Sequence, residues 1–293
     1  MSASTRSLRI SPYLYLVPAF TTIMVFTIFP IFYSFYLSLL DWNMISQKVF
    51  VGFRNYVDLF TDGMFWKSVF NTFYFVIMYV PVKITLGLAF ATLLFKKIRG
   101  LGFYRVGYYL PVITSLNAAA IMWLWLYNEK FGILNYVLMQ LNIQPQNWLG
   151  SPRWAMLSIA VMSVWKSVGY DILLFLTGLS NIDKTYYEAA DIDGASEISK
   201  FFNITIPLLS PVIFFVMVTS IIFSFQIFTQ VYTMTPGGGP LKSTSVIVYY
   251  IYEMAFVHFR MGYASSLAYI LFIFLLTVTL LQRKFVGSKV FYQ

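Results

Sequence analysis

The sequence predicts an all-α integral membrane protein with about six transmembrane helices and a single domain over residues 1–293. Two observations carry that prediction. Of the 293 residues, 59% are hydrophobic and 11% charged, whereas a soluble domain is roughly half apolar and a quarter charged. The apolar residues also fall into about six runs. Each is near the roughly 20 residues that a helix rising about 1.5 Å per residue needs to cross a hydrocarbon core. In lipid every backbone N–H and C=O must be bonded within the protein, and a helix does this inside one segment.

The first run spans residues 13–40 and follows Arg6 and Arg9. It is about twice the length of a signal sequence's apolar region and no small-x-small site ends it, so it reads as a retained signal anchor bent at Pro18 and Pro30. Trp42, Phe50, Phe53, Tyr56 and Phe60 follow, the composition of an interfacial helix with an aromatic anchor. The remaining runs cover residues 66–95, 106–127, 154–179, 207–232 and 263–281. Orientation follows from the basic residues. Arg6 and Arg9, the short loop with Lys96, Lys97, Arg99 and Arg105, and the tail with Arg283, Lys284 and Lys289 form the denser set. That set belongs to the cytoplasm, which places both termini inside.

Composition also excludes. The formal charge of +9 is spread over short loops rather than gathered on one face, so the chain is not read as a nucleic-acid binder. With no cysteine and one histidine, His258, there is no thiolate site, no expected metal centre and no serine–histidine pair. No catalytic constellation is visible within the spans. The acidic residues Asp183, Glu188, Asp191, Asp193 and Glu197 lack the spacing of a calcium loop. No Gly-Lys-Ser/Thr phosphate loop occurs, so no cofactor is expected in this chain.

Several polar residues lie in the wrong solvent. Lys83, Lys166 and Asp171 fall inside spans, as do Asn117 and Gln226. Each charge at the bilayer centre costs about 2.5–3.5 kcal/mol. Lys166 and Asp171 together cost roughly 5–7 kcal/mol, which the span's apolar residues offset by roughly 5. That span should therefore face protein or water. Lys166 and Asp171 are five residues apart, about 140° around a helix, which favours separate partners. Either of them lines a polar pathway, with Tyr170, Asn117, Gln226 and Lys83 as further candidates, or makes a structural contact. Lys83, two residues after Pro81, is expected to bond carbonyls freed by that proline. On the outer side, Gly237, Gly238, Gly239 and Pro240 read as a flexible turn with a possible partner or substrate contact.

The segment between the fourth and fifth runs is more than a connector. Thr185 and Glu188 have capping-box spacing, and Ala189 and Ala190 are small enough for another surface to approach. Gly194 allows a turn. Ile198, Phe201 and Phe202 form an apolar face, and Pro207 suits the first turn of the fifth span. The result is a two-part helical knob suited to a partner's groove.

Glu188-Ala189-Ala190, then Gly194 after three intervening residues, then Ile204-x-Ile206-Pro207 after nine more resembles the coupling motif of bacterial ABC importer permeases. Ile206 replaces that family's leucine. Asp191, Asp193, Gly194, Ala195 and Pro211, the stretch from Pro12-Tyr13 through Asp41-Trp42, Gly237 to Pro240, and Gly262-Tyr263-Ala264 look like the carbohydrate branch, the maltose and glycerol-3-phosphate type. The resemblance implies a type I ABC importer permease fold, with residues 181–206 as a cytoplasmic coupling loop. It also implies a second related permease, an ATPase subunit dimer that binds ATP and Mg, and a periplasmic or extracellular substrate-binding protein. The implied function is sugar, oligosaccharide or sugar-derivative import across the bacterial inner membrane, with an acidic derivative left open. The alternative is an ion-coupled secondary transporter using Lys166 and Asp171; the chain shows neither the inverted repeats nor the extra spans common in such folds.

Overall fold

The computed structural model describes residues 7–95, 100–285 and 287. Arg6, Lys96, Lys97, Arg99 and Lys289 lie outside the described residues. The chain forms two compact units, residues 1–62 with 251–272, and residues 63–250 with 273–293.

The first unit opens with helix α1 (Tyr15–Ser38). Its turn Met24–Ile28 widens to a π-helix just before Pro30. The proline ring crowds the carbonyl four residues back, and the wider turn relieves it. A short antiparallel pair follows, β1 (Leu40–Asp41) on β2 (Val49–Phe50), with Leu40 opposite Phe50. Helix α2 (Arg54–Thr61) comes next. Its buried Asn55 donates to the carbonyls of Ser38 and Leu40 at 2.8 and 2.9 Å, which ties α2 to the end of α1. Val49, Phe50, Phe53, Val57 and Phe60 stay exposed, the aromatic face expected of an interfacial segment. The β-pair itself was not legible in the sequence.

The second unit is built on α3 (Gly63–Phe95). It continues through α4 (Leu101–Ile113), α5 (Leu116–Leu126), α6 (Ile133–Gln140) and α7 (Ala155–Ser180). After α8 (Lys184–Ile192) and α9 (Glu197–Leu208) come α10 (Ser210–Phe225) and α11 (Thr229–Met234). Two helices cross the division between units, α12 (Ile247–Val257) and α13 (Met261–Phe285). One part of the core gathers Phe75, Tyr79, Met156, Ile159 and Val231; another gathers Ala91, Ile172, Phe175, Leu209 and Val216.

Four helices, α1, α3, α7 and α13, are long and apolar enough to cross a membrane, or six spans if each bent pair counts as one. The expected third span is not a straight helix. It breaks by 103° between α4 and α5, because Thr114 and Ser115 adopt extended backbone. Pro111 lies in the last turn, and Thr114 Oγ1 donates to the Pro111 carbonyl at 2.7 Å. The expected fifth span is corrected twice. Pro207 does not open it; it lies in α9, and the chain bends by 67° at Leu209 before Pro211 enters α10. The run then breaks again at Gln226–Phe228 before α11. Apolar composition cannot reveal such breaks, since both halves remain apolar.

Candidate functional site

Both interruptions border one cavity of about 260 Å³. Leu116, the first residue of α5, lines it together with Gln226, Phe228, Thr229 and Gln230 from the α10–α11 break. Phe75 and Tyr79 of α3, Ser163 of α7 and the last turn of α10 add to the wall. Irregular backbone at membrane depth is stable only against protein or water, and here it supplies hydroxyl and amide groups beside aromatic rings. Asn117 joins the two broken runs, its Oδ1 accepting from Thr233 Oγ1 at 2.7 Å. A larger cleft of about 610 Å³ beside Phe90, Phe103, Tyr108 and Trp165 is almost wholly apolar and offers a polar solute little.

The intramembrane charges are spent locally. Lys83 does not serve the carbonyls near Pro81; it pairs with Asp171 Oδ1 at 2.9 Å and donates to Ser220 Oγ at 3.0 Å. Sequence reading misses this because it cannot align α3 with α7. Lys166 and Asp171 do have separate partners, as their spacing implied. Lys166 Nζ donates to the Val112 carbonyl at 3.0 Å, one of the acceptors that the end of α4 leaves without a helical partner. Tyr170 is exposed on α7, and Gln226 is exposed at the cavity. Among the residues the sequence reading missed are Tyr79, Ser163, Phe228, Thr229 and Gln230 at the cavity, Ser220, and Lys200. The serines belong to a type that packs or hydrogen-bonds between membrane helices, a signal too common to single them out.

Residues 181–208 form the two-helix knob. Its cap differs from the expected Thr185–Glu188 box. Asp183 is the N-cap, accepting from the Thr185 backbone N–H at 2.9 Å. That bond holds its carboxyl below the usual carboxylate range. Asp193 closes α8 and Gly194 takes the left-handed conformation, φ +71°. The Gly194 N–H bonds to the Asp191 carbonyl at 3.1 Å and the Ala195 N–H to the Ala190 carbonyl at 2.9 Å, a Schellman turn. Lys200 staples the halves together by pairing with Asp191 of α8 and, at 2.9 Å, with Glu197 of α9. These carboxylates raise the pKa of its ammonium, Asp191 most. Tyr187 and Thr205 hydroxyls add a second tie at 2.9 Å. Glu188 and Ala189 are exposed, Ala190 half-buried, and Ile204 and Pro207 sit in α9. Of the expected apolar face, Ile198 is 73% and Phe202 63% exposed while Phe201 is half-buried, and Ile192 at the end of α8 is exposed as well.

Lys200→Met removes the cation of that staple and leaves Asp191 and Glu197 side by side. The expected result is a folded chain whose knob is more protease-sensitive than wild type between Asp191 and Glu197. Equal digestion rates would contradict the staple.

The glycine turn is not the flexible element its composition predicted. Gly237, Gly238 and Gly239 all have positive φ, and so do Leu241 and Lys242. Non-glycine residues persist there only when surroundings hold them. Asn71 Nδ2 donates to the carbonyls of Lys242 and Ser245 at 2.9 Å each, Lys67 Nζ to that of Leu241 at 2.6 Å, and the Gly237 N–H to Tyr249 Oη at 2.8 Å. Leu241 itself is 80% exposed. The turn is a held loop that presents one apolar side chain.

This geometry defines a polytopic membrane protein with an interrupted-helix cavity and an exposed two-helix knob. Residues 4–289 match the family described as binding-protein-dependent transport system inner membrane component, and the chain belongs to that family. It is a multi-pass inner-membrane permease. It is 36% identical to the probable ABC transporter permease protein YurN of Bacillus subtilis, over 94% of this chain and 96% of that protein. It is 35% identical to the lactose transport system permease protein LacF of Rhizobium radiobacter, over 96% and 95%. The fold matches a chain of a bacterial ABC transporter involved in the import of the acidic polysaccharide alginate, with TM-score 0.83 at 20% identity, covering 94% of each chain.

Proposed function

We propose that this chain forms half of the pathway of an ATP-driven importer for a sugar or oligosaccharide. The carrying observation is that α7 holds both a wall of the cavity and, at its other end, the knob. Ser163 lines the cavity, and α7 ends at Ser180, a few residues before α8. A solute site and a partner-facing lever on one helix are what a coupled permease requires. On this reading residues 181–206 face the cytoplasm with both termini. Each half of the ATPase dimer seats a knob, a second related permease completes the pathway, and ATP and Mg belong to the ATPase subunits. This chain is then non-catalytic. The held loop at Gly237–Pro240 faces outward and meets the substrate-binding protein through Leu241.

The sugar assignment rests on the cavity's chemistry and the carbohydrate relatives. Tyr79, Phe75 and Phe228 bring aromatic carbon to the wall, and Ser163, Gln226, Thr229 and Gln230 bring hydroxyl and amide groups, the combination that suits a sugar's apolar ring face and hydroxyl rim. No cation lines that wall among the described residues, since Lys83 pairs with Asp171 and Lys166 caps the end of α4. A neutral saccharide therefore fits better than an acidic one. An ion-coupled carrier using Lys166 and Asp171 is disfavoured, since these two groups do not share a site.

The test is reconstitution of the chain with its partner permease, ATPase and binding protein in proteoliposomes. Saccharide-loaded binding protein should stimulate ATP hydrolysis and drive accumulation. Gln226→Leu should lower maximal uptake about tenfold, the loss expected for a polar contact worth roughly 1–1.5 kcal/mol. Uptake by this chain alone on an ion gradient would overturn the proposal.

A further inference from the structure

Three helices of the second unit meet at a charged contact that neither the cavity nor the knob uses directly. Lys83 of α3 is 6% exposed and Asp171 of α7 is 1% exposed. Besides the 2.9 Å ion pair, the ammonium bonds Ser220 of α10 and stands 5.7 Å from the Tyr79 ring centre. Asp171 Oδ2 has no hydrogen-bond partner among the described residues, so the carboxylate depends on Lys83. Gly87, one turn along α3, permits the approach; a Cβ there would stand 2.9 Å from the Asp171 Cβ.

Stability alone does not call for this arrangement. Apolar residues of similar volume often replace a buried ion pair without loss, and membrane helices associate by packing small and apolar side chains. A buried ion pair differs in that a slipped register leaves both charges unpaired in apolar surroundings, whereas a slipped apolar contact can be remade with other apolar neighbours. Its position matters too. Ser163 in the cavity wall lies about 12 Å along α7 in one direction, and the helix end before the knob lies about 14 Å in the other. Tyr79, one turn from Lys83, lines the cavity and bonds Ser167 of α7 at 2.7 Å. α10 continues from knob helix α9 across the Leu209 bend.

We propose that Lys83 and Asp171, with Ser220, are positioning residues that fix the register of α3, α7 and α10. A displacement of the knob then reaches the cavity wall instead of being lost as sliding between helices. This rests on the permease reading, for which uptake by the wild-type complex is the separate control.

The complex with its partner subunits provides the test, with uptake and ATP hydrolysis both measured per assembled complex. In K83M/D171L no buried charge is left unpaired. The complex should hydrolyse ATP while uptake per ATP falls about tenfold, within the range by which such couplings are modulated. The charge swap K83D/D171K should recover much of that ratio. A wild-type ratio in K83M/D171L would show the pair to be a dispensable helix contact and overturn the proposal.

A disulfide gives a second measurement that leaves the pair intact. A Cβ at Gly178 of α7 would lie 3.4 Å from the Val212 Cβ of α10, close to the about 3.5–4.5 Å that a disulfide spans, and the chain has no native cysteine. In G178C/V212C, uptake should be the same oxidised and reduced. Loss on oxidation that a reductant reverses would mean that α7 slides on α10, and the fixed register would be refuted.

Discussion

Replacing Gly169 with valine is expected to abolish accumulation of folded chain. Gly169 is buried on α7, and a Cβ built there runs into the carbonyl oxygen of Tyr108 on α4, with Val112 Cγ2 3.0 Å away. The obstacle is backbone, so no rotamer change clears it and α4 itself would have to move. Overpacking costs about 1–3 kcal/mol where side chains can yield, and this site lies at or beyond the upper end of that range. Moving α4 also withdraws Val112 O from Lys166, which leaves an ammonium inside the span without its 3.0 Å acceptor. Lys166 would then face part of the about 2.5–3.5 kcal/mol insertion penalty of a lone charge. Yield in detergent and the thermal midpoint of what survives are the readouts. Gly169→Ala should fall between wild type and valine, because the first added carbon already collides. A valine variant with wild-type yield and midpoint would mean that α4 and α7 do not cross this closely.

Composition and charge made the membrane class legible, and the glycine-jointed knob was legible from local pattern. Both depend on residues near one another in sequence. The runs at 13–40, 66–95, 154–179 and 263–281 match long helices closely because uninterrupted apolar segments leave the backbone one solution in lipid. The runs at 106–127 and 207–232 were read as continuous for the same reason, although Pro111-Val-Ile-Thr-Ser115 and Gln226-Ile-Phe228 interrupt them. Proline, threonine and glutamine are all tolerated within membrane helices, so their presence does not announce a break. The candidate cavity was only half visible. Gln226 stood out as a polar residue in a span, as did Asn117 beside the cavity's Leu116, whereas Tyr79, Ser163 and Phe228 passed as ordinary lining. Long-range pairing was not legible either. Lys83 and Asp171 are 88 residues apart, and nothing local to either announces the other. Likewise the held loop at 237–242 reads as loose until Asn71 and Lys67 are known to bond its carbonyls.

Gly194→Val should leave the membrane fold intact and break the link between ATP hydrolysis and uptake. A Cβ at Gly194 meets nothing within 4 Å, so steric crowding is not the mechanism. The penalty is conformational: φ is +71°, and a residue with a Cβ pays about 1–2 kcal/mol in the left-handed region. A β-branched residue there is a genuine outlier. The chain escapes by leaving that region, which unmakes the Schellman turn from Ala195 to Ala190 and swings α9 relative to α8. Lys200 can oppose the swing only weakly. Its carboxylate partners are well exposed, and water screens such surface pairs. Ile192 and Ile198, exposed one on each half, then change their placement relative to one another, and with it the face offered to the partner proposed above. Asparagine tolerates the left-handed conformation, so Gly194→Asn should retain most coupling while alanine and valine lose progressively more. The measurement is transported sugar per ATP in the reconstituted complex, with monodispersity in detergent as the folding control. Equal coupling in the asparagine and valine variants would separate the knob's geometry from its function and defeat the docking role assigned to it.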